Sequence, residues 1–169
     1  MKVIAHRGAP FEALENSFSA FHRAVQAGCQ MIELDVWGGE DGSLWVCHDD
    51  SLLRTAGLDQ EISSSRFESL KKVRLSNGEP LPALEECFQQ LLPQVELNVE
   101  LKDTSPRTVN SLLTFLGATD LGRVVVSCFD LKPLEFIEKN NSCVQLALLS
   151  EALNTYTVDP VEYLKEHPQ

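Results

Sequence analysis

The feature that most constrains the fold is a series of short apolar runs that alternate with segments of helical periodicity. Strands separated by helices are typical of a parallel sheet, either closed into a barrel or doubly wound. The first four runs end in, or lead directly into, charged side chains. In a β/α barrel the C-terminal ends of the strands are where active sites are built. The predicted strands cover residues 3–5, 31–36, 44–47, 95–101, 123–127 and 144–149.

Helices are predicted between these strands from apolar spacing and from end signals. Asn16 is the expected N-cap of the first helix, and Gly28 is its expected stop. The predicted helices cover residues 16–27, 67–72, 83–92, 106–116, 131–140 and 161–165. A β/α barrel has eight strands and typically about 250 residues, but this chain has 169. We therefore expect one domain over residues 1–169 that is incomplete at its C-terminal end, or an open sheet.

Charge and hydropathy exclude several classes of protein. The chain carries 14 Lys and Arg against 25 Asp and Glu, for a formal net charge of −11. This balance disfavours nucleic-acid binding, which usually needs a basic patch. It does not disfavour a phosphate substrate, because local cations set the field within a site. No apolar run reaches the roughly 18–20 residues that span a bilayer, and no signal peptide is recognised, so no stable membrane insertion is expected.

Cysteine usage and two isolated histidines complete the general description. The chain has five cysteines, an odd number, and no two of them are spaced as a zinc pair. Cys47 and Cys128 lie in strand-like runs and are expected to be buried apolar residues. A reducing, cytoplasmic setting follows as an expectation. His22, on the polar side of a helix, and His167, in the tail, are expected to lie outside any site.

Two strands carry pairs of charged residues at a spacing of two. Glu33 and Asp35 point to the same face of the second strand, because successive side chains alternate between faces. Two carboxylates inside a sheet repel each other, and a divalent cation removes that cost. Oxygen ligands favour Mg²⁺ or Ca²⁺ over zinc. Glu100 is a candidate third ligand and Lys102 a candidate phosphate-binding cation, although solvated carboxylates and a simple Glu–Lys pair are alternatives.

Two histidines follow strands and suggest proton transfer. His6 and His48 are candidates for general acid and base near neutral pH. Arg7 offers a planar fork that matches a phosphate, and Gly8 leaves room for the backbone to turn. Asp49 is expected to cap a turn rather than to catalyse.

Taken together, these residues resemble the glycerophosphodiester phosphodiesterase family. The order and approximate spacing agree from residue 3 to about residue 130. Ser17 replaces the usual Thr, and the last strands of the family are not found. The matching motifs are His6-Arg7-Gly8, Glu15-Asn16-Ser17, Ala27-Gly28, Glu33-Leu34-Asp35, Asp41-Gly42, His48-Asp49, Glu100-Leu101-Lys102 and Ser127-Cys128-Phe129.

The resemblance implies a TIM-type β/α barrel of the phosphatidylinositol-phospholipase-like kind, lacking its last strands in this chain. It implies hydrolysis of small-molecule glycerophosphodiesters to glycerol 3-phosphate and an alcohol. By the same resemblance a divalent cation, Mg²⁺ or Ca²⁺, is bound by Glu33, Asp35 and Glu100. His6 and His48 then act as acid and base, in either order. The remaining two candidates, Arg7 and Lys102, hold the phosphate.

Other functions remain open from the sequence. The attacking oxygen is either water or the substrate's own glycerol hydroxyl. A related phosphodiesterase acting on lysophospholipids or sphingomyelin is the nearest alternative among enzymes. A non-catalytic module that binds phosphodiesters or a protein on a truncated barrel is the alternative from another class.

Overall fold

The computed structural model describes residues 2–119 and 121–150. The helix predicted at 161–165 and the tail residue His167 lie outside this part of the chain. None of the helices in the described part is long and apolar enough to cross a membrane.

The strands form one sheet whose order identifies its winding. Five strands are parallel neighbours in the order β1-β2-β4-β5-β6. This order follows the chain without reversal, as in a β/α barrel, whereas a doubly wound sheet reverses direction at a switch point. The predicted TIM-type architecture is therefore confirmed, with β1 and β6 at the sheet edges within the described residues. The strands are β1 (Ile4–His6), β2 (Met31–Gly38), β3 (Leu44–Val46), β4 (Glu96–Leu101), β5 (Val124–Cys128) and β6 (Gln145–Leu148).

Strand β3 departs from the expected arrangement. It pairs antiparallel with β2, with Trp45 opposite Trp37. The connection through Gly42, which has φ 82°, is too short for the crossover of a dozen or more residues that a parallel pair needs. The third predicted strand is therefore not one of the parallel strands of the barrel. The chain instead returns beside β2, and Cys47 N donates to the backbone oxygen of Asp35 at 3.0 Å.

Helices connect the parallel strands and largely follow the predicted bounds. Helix α1 begins one residue after Ser17, whose side chain accepts from Ala20 N at 3.3 Å. The N-cap is thus Ser17 and not Asn16 as predicted, while Gly28 follows the C-cap with φ 81° as expected. The short helix α2 was not predicted. The helices are α1 (Phe18–Gln26), α2 (Leu53–Ala56), α3 (Phe67–Leu70), α4 (Leu84–Leu91), α5 (Pro106–Leu116) and α6 (Leu131–Asn140), with a 3-10 turn at Leu121–Arg123.

Two apolar clusters stabilise the fold. The barrel core lies between the sheet and helices α1, α4, α5 and α6, and contains the alternate strand residues that do not face the barrel interior, such as Leu34 and Leu97. The insert, which we define as residues 47–82, has a separate insert core. That core consists of Trp45 of β3 together with Cys47, Leu52, Ile62, Leu70, Val73, Leu75 and Leu81 of the insert. Cys47 and Cys128 are buried as predicted, and His22 is exposed.

Candidate active site

Three carboxylates converge on the inner face of the sheet. The parallel register pairs Asp35 with Glu100 and places Glu33 beside Asn98. Glu33, Asp35 and Glu100 are 5%, 0% and 6% exposed. One carboxylate oxygen of each lies within 4.8 Å of those of the other two. These side chains are therefore withdrawn from water rather than solvated on an exposed face.

The electrostatics of this acidic cluster favour a cation. Burial raises the pKa of Glu33 to about 8, and the charge of Asp35 adds to the effect, although a hydrogen bond from the Arg7 amide opposes it. Among the described residues, Glu33 Oε1 is buried without a hydrogen-bond or ion-pair partner, and the only partner of Asp35 Oδ1 and Glu100 Oε1 is the Lys102 ammonium. A buried oxygen without a partner is costly, and a hard divalent cation satisfies several at once. The donor set thus fits a bound metal ion.

The turn after β1 brings the backbone close to this cluster. Arg7 (φ 56°) and Gly8 (φ 86°) both lie in the left-handed region. Arg7 N donates to the backbone oxygen of Glu33 at 3.1 Å and to Glu33 Oε2 at 3.0 Å. A Cβ at position 8 would lie 2.7 Å from the backbone carbon of Ala20. Helix α1 can therefore pack against the turn only because residue 8 is glycine.

The side chain of Arg7 points into the acidic cluster. Its Nε lies 3.1 Å from Asp35 Oδ2, and its Nη1 donates to Glu15 Oε1 at 3.2 Å. Asn16, also left-handed with φ 51°, donates through Nδ2 to the same Asp35 oxygen at 2.7 Å. The residue predicted as a helix cap is thus a buried hydrogen-bond donor to Asp35. These contacts hold the guanidinium at the edge of the cluster.

Lys102 provides the second cation of the cluster. Its ammonium forms a close ion pair with Glu100, lies 3.3 Å from Asp35 Oδ1, and sits 5.8 Å from the ring centre of Phe129. Burial lowers the pKa of Lys102, but the hydrogen bonds and charges of Glu100 and Asp35 outweigh it, so the pKa is raised overall. The lysine therefore stays charged, and the three carboxylates face two cations.

The two predicted histidines differ in their surroundings. His6, at the end of β1, is 65% exposed and has its Nε2 3.9 Å from Glu33 Oε2. His48 is 32% exposed, and its Nδ1 lies 2.6 Å from Asp49 Oδ1. The indole of Trp37 donates to the backbone oxygen of His48 at 3.0 Å. The first histidine therefore borders the carboxylates directly, whereas the second is oriented by its neighbours.

Three further residues join these groups, and the sequence did not assign them to the site. Arg54 on α2 donates through Nε to Asp49 Oδ2 at 2.6 Å and through Nη2 to Glu15 Oε1 at 2.8 Å. Asp49, expected to cap a turn, instead contacts His48, and Glu15, the first residue of the Glu15-Asn16-Ser17 motif, contacts Arg7. Asp49 could have been assigned to the site from the sequence, because its carboxylate directly follows the candidate histidine His48. Arg54 had none, because α2 has four residues and shows no helical periodicity.

The chain is similar in sequence to proteins of one family. It matches the sequence model of the glycerophosphoryl diester phosphodiesterase family over residues 6–167. It is 31% identical over 159 residues to a glycerophosphodiester phosphodiesterase of Caldanaerobacter subterraneus subsp. tengcongensis, which covers 87% of this chain and 65% of that protein. It is 30% identical over 164 residues to one from Bacillus altitudinis, covering 88% and 66%. The chain thus spans less than two thirds of the length of each of these relatives.

Solved structures agree with this similarity. A phosphodiesterase of Oleispira antarctica, in complex with the product sn-glycerol-3-phosphate, superimposes with a TM-score of 0.86 at 26% identity, covering 98% of this chain and 71% of that one. A glycerophosphodiester phosphodiesterase of Thermotoga maritima gives a TM-score of 0.80 at 27% identity, covering 98% and 70%. The TIM-type β/α fold is therefore shared with both.

Proposed function

Since the chain belongs to the glycerophosphoryl diester phosphodiesterase family, we propose that it hydrolyses glycerophosphodiesters to glycerol 3-phosphate and an alcohol. The observation that carries this proposal is the buried cluster of Glu33, Asp35 and Glu100, flanked by Arg7 and Lys102. Such a site suits an anionic phosphodiester because it combines carboxylates that could hold a cation with two positively charged side chains. The glycerol 3-phosphate bound to the similar Oleispira antarctica phosphodiesterase supports the choice of product.

The acidic cluster is the proposed metal site. Glu33, Asp35 and Glu100 would hold Mg²⁺ or Ca²⁺, since all three ligands are carboxylate oxygens. A bound divalent cation supplies charge stabilisation at the phosphoryl oxygens. Lys102 lies against Asp35 and Glu100 and offsets part of their negative charge.

Two cations of the chain are proposed to bind the phosphate. The side chain of Arg7 is 18% exposed and that of Lys102 is 17% exposed. Both side chains therefore reach solvent beside the carboxylates and are held by ion pairs rather than free to rotate. Arg7 offers a planar pair of donors for two phosphate oxygens, and Lys102 acts as a point charge.

The proton transfers are assigned to the two histidines. One takes the proton of the attacking oxygen as the phosphorus–oxygen bond forms, and the other gives a proton to the alkoxide as the ester bond breaks. Asp49 accepts at Nδ1 of His48, so Nε2 of His48 is the nitrogen available for this exchange. The exposed ring of His6 beside Glu33 is accessible to a substrate in the same region.

A lysophospholipid is the second candidate substrate. The chain is 32% identical over 114 residues to a human protein named lysophospholipase D, covering 60% of this chain and 36% of that protein. Phe11, in the loop after β1, is fully exposed at 103% and offers an apolar surface to an acyl chain.

The cellular setting is proposed to be the cytoplasm. All five cysteines, which lie within the described residues, are free thiols, and Cys47, Cys87 and Cys128 are buried. Buried free thiols are typical of proteins from reducing compartments.

The test is the release of glycerol 3-phosphate from glycerophosphocholine, with Mg²⁺ or Ca²⁺ and with a chelator. We expect turnover that the chelator abolishes and that His6→Ala and His48→Ala each reduce at least about 10²-fold. His22→Ala, an exposed histidine on α1, is the matched control and should retain full activity. Release of choline from lysophosphatidylcholine, measured in parallel, distinguishes the two substrate classes. Near-normal rates in both His6→Ala and His48→Ala would refute the assignment.

A further inference from the structure

Arg54 joins two parts of the candidate site that are distant in sequence. One guanidinium donates to Asp49 from Nε and to Glu15 from Nη2, at 2.6 and 2.8 Å. Asp49 contacts His48 with its other oxygen, and Glu15 accepts from Arg7. A continuous chain of charged contacts therefore runs from His48 to Arg7 and ends at Asp35, 3.1 Å from Arg7 Nε.

We propose that Arg54 is a positioning residue that aligns the acid–base group His48 with the phosphate-binding group Arg7. It holds Asp49 against the imidazole and Glu15 against the guanidinium of Arg7 at the same time. The consequence for catalysis rests on the proposed function, whereas the alignment itself is a property of the folded chain.

The backbone around Arg54 is held in place by contacts of the neighbouring residues with the rest of the insert. Leu52 and Thr55 are 0% and 2% exposed, and Thr55 Oγ1 lies 3.8 Å from Cys47 Sγ. The backbone oxygen of Thr55 accepts from Ser76 N at 2.8 Å. Leu52 belongs to the insert core, and Thr55 is held by the contacts above. The backbone of Arg54, which lies between them, therefore has a fixed position from which the side chain reaches both carboxylates.

The two contacts use different nitrogens of one planar group, which an ammonium cannot reproduce in the same geometry. Burial raises the pKa of Asp49 and of Glu15, but hydrogen bonds and charge from Arg54, together with those from His48 at Asp49 and from Arg7 at Glu15, outweigh it, so each pKa is lowered. Both groups therefore remain ionised acceptors near neutral pH. An ionised Asp49 favours the His48 tautomer with its proton on Nδ1, which leaves Nε2 free to accept.

The first experiment compares Arg54→Ala and Arg54→Lys with Arg23→Ala. Arg23 is the matched control, since it is 51% exposed against 48% for Arg54 and makes one ion pair, with Glu12 at 3.1 Å. We expect kcat to fall about 10–100-fold in Arg54→Ala, as for a catalytic group displaced by about 1 Å. Arg54→Lys should recover only part of this loss, and added methylguanidinium should restore part of kcat in Arg54→Ala alone. The Tm of Arg54→Ala should agree with that of Arg23→Ala to within about 4 °C.

The second experiment does not depend on turnover. Nitrogen-15 NMR of the imidazoles, with His48→Ala for assignment, measures which nitrogen of His48 carries the proton. The proposal predicts mainly the Nδ1–H form in the unsubstituted chain and Arg23→Ala, and a shift towards Nε2–H in Arg54→Ala. An unchanged tautomer in Arg54→Ala, or an unchanged kcat, would overturn the proposal. If the unsubstituted chain hydrolyses no glycerophosphodiester, the proposed function fails, and the tautomer comparison still decides the role of Arg54.

Discussion

The inner face of the sheet and the insert supply the candidate site in different ways. Strands β2 and β4 carry the acidic cluster, and six residue pairs in register join them. Residues 47–82 carry His48, Asp49 and Arg54 through side-chain hydrogen bonds and a separate apolar core. A slip of one residue in β2 would turn both Glu33 and Asp35 to the opposite face, whereas the groups of the insert depend on a chain of side-chain contacts that runs through Arg54. The carboxylates are therefore placed by the register of the strands, and the groups of the insert by side-chain contacts.

The largest expected effect is the pH dependence of the free energy of unfolding that the buried Glu33 of β2 causes. Glu33 has a pKa of about 8 in the folded chain and an ordinary value of 4.5. Between these values the folded state binds more protons than the unfolded state, so the free energy of unfolding falls as pH rises from about 5 to 8. For the metal-free chain, the free energy of unfolding should fall by on the order of 5 kcal/mol over this range. Glu33→Gln should flatten this dependence, measured by urea unfolding in chelator.

A carboxyl of the insert provides the control for that measurement. The pKa of Asp49 is lowered below its ordinary value of 3.8 because the Arg54 and His48 hydrogen bonds outweigh burial. Its contribution to stability is present above the unfolded pKa and is lost only as pH falls through the lower, folded pKa. Because a histidine changes charge in this pH range and His48 contacts Asp49, the comparison is made in the His48→Ala background, where Asp49→Asn should leave the slope between pH 5 and 8 unchanged. An equal slope in Glu33→Gln and the unsubstituted chain would contradict the assignment of that slope to Glu33.

The next effect compares the two apolar clusters. Leu97 in the barrel core and Leu52 in the insert core are both fully buried, and truncation of a buried leucine costs about 2–5 kcal/mol. Leu97→Ala should lower amide protection throughout the sheet. Leu52→Ala should lower it mainly in residues 47–82, because the two clusters are separate. Hydrogen exchange measured by mass spectrometry distinguishes these patterns, and the same pattern in both variants would refute separate cores.

The smallest effect compares two glycines with left-handed backbones. Gly57, after α2, has φ 68°, and a Cβ added there would have no atom within 4 Å, whereas a Cβ on Gly8 would clash with Ala20. Gly57→Ala should cost about 1–2 kcal/mol from the backbone alone. Gly8→Ala should cost a further 1–3 kcal/mol, about the penalty for overpacking. Denaturant unfolding of the two variants measures the difference, and equal losses would show that α1 can move away from the turn.

The carboxylates of the sheet and the bounds of its helices could be predicted from the sequence because they depend on residues that are close together in the chain. Alternation of apolar and charged residues in β2 indicated which side chains share a face, and the register confirms it for Glu33 and Asp35. The bounds of α5 and α6 were predicted correctly, since Ser105 before Pro106 and Asp130 are strong N-caps. The N-cap of α1 was wrong because Asn16 directs its side chain to Asp35, a contact that depends on the folded sheet.

The structure of the insert was harder to predict because it depends on contacts between residues that are distant in sequence. The turn ending at Gly42 was recognised, but its shortness also required an antiparallel return, which places Cys47 beside Asp35. Helices α2 and α3 have four residues each, too few for a periodic pattern. Their positions depend instead on packing among residues such as Leu52, Leu70 and Leu81.

The backbone amide of Arg7 has a consequence for spectroscopy. It donates to Glu33 Oε2 as well as to the backbone oxygen of Glu33. Its proton resonance therefore depends on whether that carboxylate holds a proton, a cation or neither. A single cross-peak can report occupancy of the acidic cluster during a metal titration, with no substrate and no label on any side chain.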